Sequence, residues 1–125
     1  MTDPKPPVIV DTGSELLLFR SIEAAENYLE PIDVENGEYP AVYDSQGQLL
    51  ELKVERIATS RMFGLFPGVE EHVRIRYRPG ARDGAGELAE KLRAYLGRLG
   101  VPTSAAEAPL ETLLRQLSGK AGFTS

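Results

Sequence analysis

The stretch from Tyr28 to Leu52, YLEPIDVENGEYPAVYDSQGQLLEL, decides how the chain is read. It holds a helix end, an acidic loop, a strand, a tight turn and the start of a second strand. The turn is Asp44-Ser45-Gln46-Gly47. An opening Asp and a closing Gly suit a type I turn followed by a left-handed glycine. The strands it predicts are Tyr39–Asp44 and Gln48–Arg56, with Val42 opposite Leu50 and Pro40 opposite Leu52. One face then carries Pro40, Val42, Leu50, Leu52 and Val54, and the other Tyr39, Ala41, Tyr43, Leu49, Glu51 and Lys53. A slip of one residue exchanges the faces, so the turn fixes which side chains reach the core. The aliphatic face is assigned to the core. The tyrosine face is read as packed under a helix or loop, with a partner surface as the alternative, because tyrosine suits either place.

Upstream, Met1–Pro7 is polar and proline-rich and reads as a loose arm. Val8–Val10 suits a short strand, and the continuous apolar run Leu16–Phe19 suits a buried one. Ser21 has the chemistry of a helix N-cap, with Glu23 and Glu26 in the first turns, where the helix dipole favours carboxylates. Ile22, Ala25 and Leu29 recur at helical spacing, with Tyr28 bordering that face, and Pro31 limits this helix to about two or three turns.

Downstream, Ile57–Gly68 mixes Met62, Phe63, Leu65 and Phe66 with Gly64, Pro67 and Gly68. It is too apolar for an idle loop and too interrupted for regular structure. Packing on the sheet is the expectation, with a contact loop for a partner as the alternative. His72–Arg78 alternates, Val73, Ile75 and Tyr77 inward against Arg74, Arg76 and Arg78 outward, which is a strand with one wet face. The arginines are expected to face carboxylates such as Glu51 and Glu55 on a neighbouring strand rather than phosphates. After the glycine-rich break Pro79–Gly86, Leu88, Leu92, Tyr95, Leu96 and Leu99 form the apolar stripe of a helix stopped by Gly100 and Pro102. Past the small-residue linker Thr103–Ala108, Pro109 suits a helical first turn. Leu110, Leu113, Leu114 and Leu117 then form a second stripe, ended by Gly119 and expected to dock on its own domain.

These elements make one α+β domain over residues 1–125: a mainly antiparallel sheet of about four strands with helices packed against it, preceded by the arm 1–7. The 42% hydrophobic and 26% charged content belongs to a globular chain. With no cysteine, disulfides and thiolate chemistry are excluded, and a reducing, cytoplasmic compartment fits. No signal peptide is read at the start, and no apolar run nears the ~18 residues of a spanning helix. The net charge of −5 argues against nucleic acid and would steer a cationic partner.

No motif fixes a reaction. Gly84-Ala85-Gly86-Glu87-Leu88-Ala89 matches the G-x-G-x-x-A dinucleotide pattern, but Glu87 places a carboxylate where a pyrophosphate would sit. His72 is the single histidine, a poor start for a zinc site or a relay, and is read as a surface residue. Glu30, Asp33, Glu35 and Glu38 crowd nine residues, yet counting from Asp33 places Gly37 fifth and Glu38 sixth, against the calcium-loop pattern. No metal, no cofactor and no catalytic residue is therefore expected. The acidic segment reads as a solvated loop or as a docking site for a basic protein. The candidate partner-binding residues are Glu30, Asp33, Glu35, Glu38, Tyr39 and Tyr43.

The run S-I-E-A-A-E-N-Y-L-E-P-I-D-V-E-N-G-E-Y, followed by Y-D-S-Q-G-Q-L-L at Tyr43–Leu50, resembles small bacterial immunity proteins that accompany secreted antibacterial toxins. The resemblance covers about residues 14 to 54. It implies a cytoplasmic, non-enzymatic protein that binds one cognate effector and blocks it. The alternative, from a different class, is a small ligand-binding or hydrolytic domain using the acidic loop and the tyrosine face.

Overall fold

The computed structural model describes residues 4–61, 66–80, 83–101 and 108–125. The Asp44 turn forms as its chemistry dictates. Gly47 is left-handed at φ 82°, and its N–H donates to the Asp44 carbonyl at 3.0 Å. It joins β3 (Ala41–Tyr43) to β4 (Leu49–Arg61) with Val42 opposite Leu50, and both of these are buried. Asp44 is wholly buried. Its Oδ1 accepts the N–H groups of Gln46 and Gln48, and its Oδ2 accepts the Tyr77 hydroxyl.

Before this hairpin come β1 (Val8–Asp11) and β2 (Leu16–Phe19), and β5 (Phe66–Tyr77) follows it. Five strands form one antiparallel sheet in the order β2-β1-β3-β4-β5. The class is α+β as read from the sequence, with one strand more than the about four expected. β1 lies inside the sheet, between β2 and β3, which is why Val8, Ile9 and Val10 are all fully buried. Val8 and Val10 are covered on one face and Ile9 on the other, while Asp11 at the strand's end is only partly buried.

Helices cover both faces. α1 (Ile22–Tyr28) starts at Ser21, whose Oγ accepts the Ala24 N–H at 3.0 Å. α2 (Pro31–Glu35) follows at once. Pro31, expected only to end a helix, also begins one, because its fixed φ suits the first helical position and its missing N–H costs nothing there. These two helices close a core of Val8, Val10, Phe19, Ala25, Leu29, Val42, Leu50, Val73 and Ile75. α1 touches both outer strands, β2 and β5. Glu26 Oε2 accepts the edge N–H of Ile75 at 2.8 Å. On the opposite face α3 (Ala85–Arg98) and α4 (Leu110–Ala121) bury Leu88, Leu92, Leu96, Leu113 and Leu117 against Ile9, Leu16, Leu18 and Tyr43. The second leucine stripe docks on its own domain, and α4 runs through Gly119 to stop at Gly122, φ 76°. Pro109 caps it from outside the first turn.

The tyrosine face of the β3–β4 hairpin packs under a helix as expected, with Ala41, Tyr43 and Leu49 against α3. Two further expectations change. Residues 4–7 are tied down, since the Lys5 carbonyl accepts the Ser45 N–H at 2.8 Å. The hairpin β4–β5 is far longer than read and pairs from Leu50↔Tyr77 to Arg61↔Phe66. Met62–Leu65 lie outside the described residues, and with them the question whether Met62–Phe66 is core or contact loop. β3 cannot follow β4 outward, because Pro40 has no N–H to continue the ladder. From Leu52 onward β5 is the only strand paired to β4 among the described residues.

Candidate functional site

The acidic residues sit on α2 and the loop after it. Glu30 is the N-cap and is exposed, as are Glu35 and Glu38, while Asp33 is half-buried. Tyr39 is half-buried against the aliphatic core, and its hydroxyl donates to Asp33 Oδ2 at 3.3 Å. A hydrogen bond to Asp33, then repulsion from the same carboxylate, pushes the Glu38 carboxyl above its usual range. Burial first, then Asp33, raises the Tyr39 phenol. Arg56 of β4 binds Glu35 and also Glu71 of β5, the latter at 3.1 Å, so α2 is clasped to the ribbon. Among these charges stand two exposed apolar side chains, Ile32 at 63% and Tyr28 at 49% exposure. Neither was among the expected contact residues. The sequence held no signal for Ile32, because the helix that Pro31 opens was read as a loop and the packing of α2 on β4 and β5 decides which of its sides meets water.

Tyr43 is elsewhere. It is wholly buried on the α3 face, so its expected role as a partner anchor is corrected. The reason is Pro40: regular strand begins only at Ala41, the alternation does not extend back to Tyr39, and the two tyrosines pack on opposite faces. Tyr43 instead centres a polar chain. Its hydroxyl donates to Glu87 Oε2. Lys91 Nζ donates to that hydroxyl at 2.7 Å and to Asp11 Oδ2 at 2.8 Å. Burial, then the Glu87 hydrogen bond, pushes the phenol up to about 12. Burial alone would lower Lys91, but the hydrogen bonds to Asp11 and Tyr43 outweigh it and the ammonium is held above its ordinary value. At neutral pH both groups keep their protons. The chain is a clamp between β1, β3 and α3. Glu87 and Lys91, four apart on one helix face, were legible as a pair. Their partners across the sheet were not.

The remaining candidates also resolve into structure. A Cβ on Gly84 would meet the Gly47 carbonyl oxygen at 2.9 Å and Tyr43 Cε2 at 3.1 Å. That glycine therefore serves close packing of α3 on the turn, and the Gly84 N–H donates to Gly47 at 2.9 Å. Arg74 Nε meets Glu55 Oε2 at 3.1 Å and Arg76 lies opposite Glu51, as expected for a carboxylate-faced strand. His72 is partly exposed beside Glu70. A hollow of about 500 Å³ separates Pro6, Pro7, Gln46, Leu114 and Phe123 near the start of the chain, away from the acidic segment. Among the described residues no group of three His, Cys, Asp or Glu side chains is placed to hold a metal ion, and no helix is long and apolar enough to cross a membrane.

The surface that remains is the α1–α2 corner: Glu30, Ile32, Glu35 and Glu38 with Tyr28, braced by Tyr39 and Arg56. Comparison with protein-family models, with curated proteins and with solved structures finds no match.

Proposed function

We propose that this chain is an immunity-type binding protein, which neutralises a cognate antibacterial effector in the cytoplasm by occluding it and performs no chemistry of its own. The observation that carries the reading is Ile32, 63% exposed on a short helix whose neighbours Glu30, Glu35 and Glu38 all face solvent. An apolar anchor ringed by like charges suits a desolvated contact with a polar rim, and the sign of the rim selects a basic partner. Asp33 and Tyr39 serve as braces beneath this surface, and Tyr43 has no part in it. The resemblance across residues 14–54 covers the same α1–α2 corner.

The ligand-binding or hydrolytic alternative would use the acidic loop and the tyrosine face. Tyr39 stays with the acidic segment while Tyr43 lies on the opposite face of the sheet, so the two tyrosines share no surface. The test is binding of the purified chain to the product of the adjacent coding sequence, with survival of cells making that product. Ile32→Ala should speed dissociation, and Glu30→Lys with Glu38→Lys should slow association and flatten its salt dependence. An absence of binding, with cells dying equally with and without this protein, overturns the reading.

A further inference from the structure

Five parts of the chain enclose the hollow of about 500 Å³ on the α3–α4 side of the sheet. Leu18 of β2 and Leu114 of α4, both buried, form its floor. Pro6, Pro7 and Phe123 add apolar walls, and Ser45 and Gln46 reach it from the Asp44 turn. Backbone bonds hold these walls in place. The Ser45 N–H donates to the Lys5 carbonyl at 2.8 Å, which ties the proline segment to the turn. The Thr124 N–H donates to the Leu18 carbonyl at 2.7 Å, which ties the segment carrying Phe123 to β2. A pocket built this way exists before a ligand arrives and costs little ordering on binding.

Its polar groups are unspent. Ser45, Gln46 and Ser118 bring hydroxyl and amide groups to the hollow, and none of these side chains makes a hydrogen bond among the described residues. Arg115 gives one N–H to Glu111 at 3.2 Å, one turn back on α4, and both side chains are largely exposed. A guanidinium has five such donors, so most of its fork stays open. Arg20 adds a second cation: its guanidinium lies 4.6 Å over the Phe123 ring, and it makes no ion pair among the described residues. A chain of net charge −5 thus presents two arginines against one carboxylate at this place.

We infer that this hollow binds a small organic anion with a flat apolar body, such as an aryl carboxylate or sulfonate. The volume lies within the range of small-molecule sites, about 300–1,000 Å³. The ring faces of the prolines and Phe123 favour a planar body, since aromatic rings stack on flat neighbours. The anionic head meets Arg115 at the mouth, where an N–H bond to an ionised acceptor is about twice as strong as a neutral one. Charge therefore decides affinity as much as burial of the body does. The hydroxyls of Ser45 and Ser118 and the Gln46 amide are left for polar substituents. The site is separate from the α1–α2 corner, which packs on the other face of the sheet, so the two readings fail independently.

The test titrates the full chain with anilinonaphthalene sulfonate, a planar aryl anion whose emission brightens in apolar surroundings. Phenylnaphthylamine, the same ring system without the charge, is the control. The wild type should bind the sulfonate saturably, and its melting temperature should rise with probe concentration, as binding to the native state requires. Arg115→Gln should weaken the sulfonate about tenfold and leave the neutral compound unchanged. Arg115 is 74% exposed, so this change tests charge without touching the core. Ser118→Phe, which fills the hollow, should remove both probes, with circular dichroism confirming that each variant is folded. No saturable binding up to about millimolar probe overturns the inference, as does a melting temperature that falls with the sulfonate. Equal weakening of both probes by Arg115→Gln, or a sulfonate affinity that Arg115→Gln leaves unchanged, overturns it too.

Discussion

Leu50 and Ile32 lose the same three carbons on replacement by alanine, yet the fold gives those carbons opposite surroundings. Leu50 is 5% exposed, paired with Val42 on one side and Tyr77 on the other. Ile32 is 63% exposed. Three buried carbons at about 0.8 kcal/mol each give a transfer cost of about 2.4 kcal/mol for Leu50→Ala. A cavity between two ladder neighbours held by hydrogen bonds collapses little, which brings the total to about 3–4 kcal/mol, inside the range for buried leucines. Ile32→Ala should change stability by less than about 0.5 kcal/mol, as surface substitutions do. Urea unfolding followed by circular dichroism measures both, and an unchanged slope with denaturant certifies that stability alone has moved. A loss under about 0.5 kcal/mol for Leu50→Ala, or equal losses for the two variants, would refute the register and the assignment of faces.

Tyr43 should ionise near pH 12. Its raised folded pKa means the native state keeps a proton that the unfolded chain loses near pH 10. The contribution is therefore complete below about 10 and disappears towards 12, at a slope of at most about 1.4 kcal/mol per pH unit. Tyr43→Phe should remove a step near pH 12 from the spectrophotometric titration and flatten stability over that window; an unchanged titration curve would contradict the clamp. Gly47→Ala should cost at least about 2 kcal/mol, because its φ is +82° and its Cβ would lie 2.3 Å from Ala85 Cα; a near-neutral result would mean the turn is free of α3. Melting temperature should be the same with EDTA, calcium or zinc, and a rise that saturates with one ion would reverse the expectation of no metal.

Local physics was legible without the structure. Asp44 and Gly47 dictate a turn by side-chain hydrogen bonding and a left-handed φ, and a turn dictates its own register, so Val42 and Leu50 could be paired from the sequence. The Ser21 cap and the leucine stripes of α3 and α4 were readable for the same reason: each depends on residues within one or two turns of chain. Tertiary structure decided which strand lies beside which and what covers each face. Nothing local places β1 between β2 and β3, or brings Lys91 to Asp11 across 80 residues of chain. The faces of the β3–β4 hairpin were ambiguous because both are apolar enough to bury, and only the docking of α3 on one and of α1–α2 on the other sends Tyr43 inward and leaves Tyr39 with the acidic segment. Exposure of Ile32 was decided in the same way. A pattern of residues gives a helix its two sides, but only the neighbours it packs against determine which side meets water.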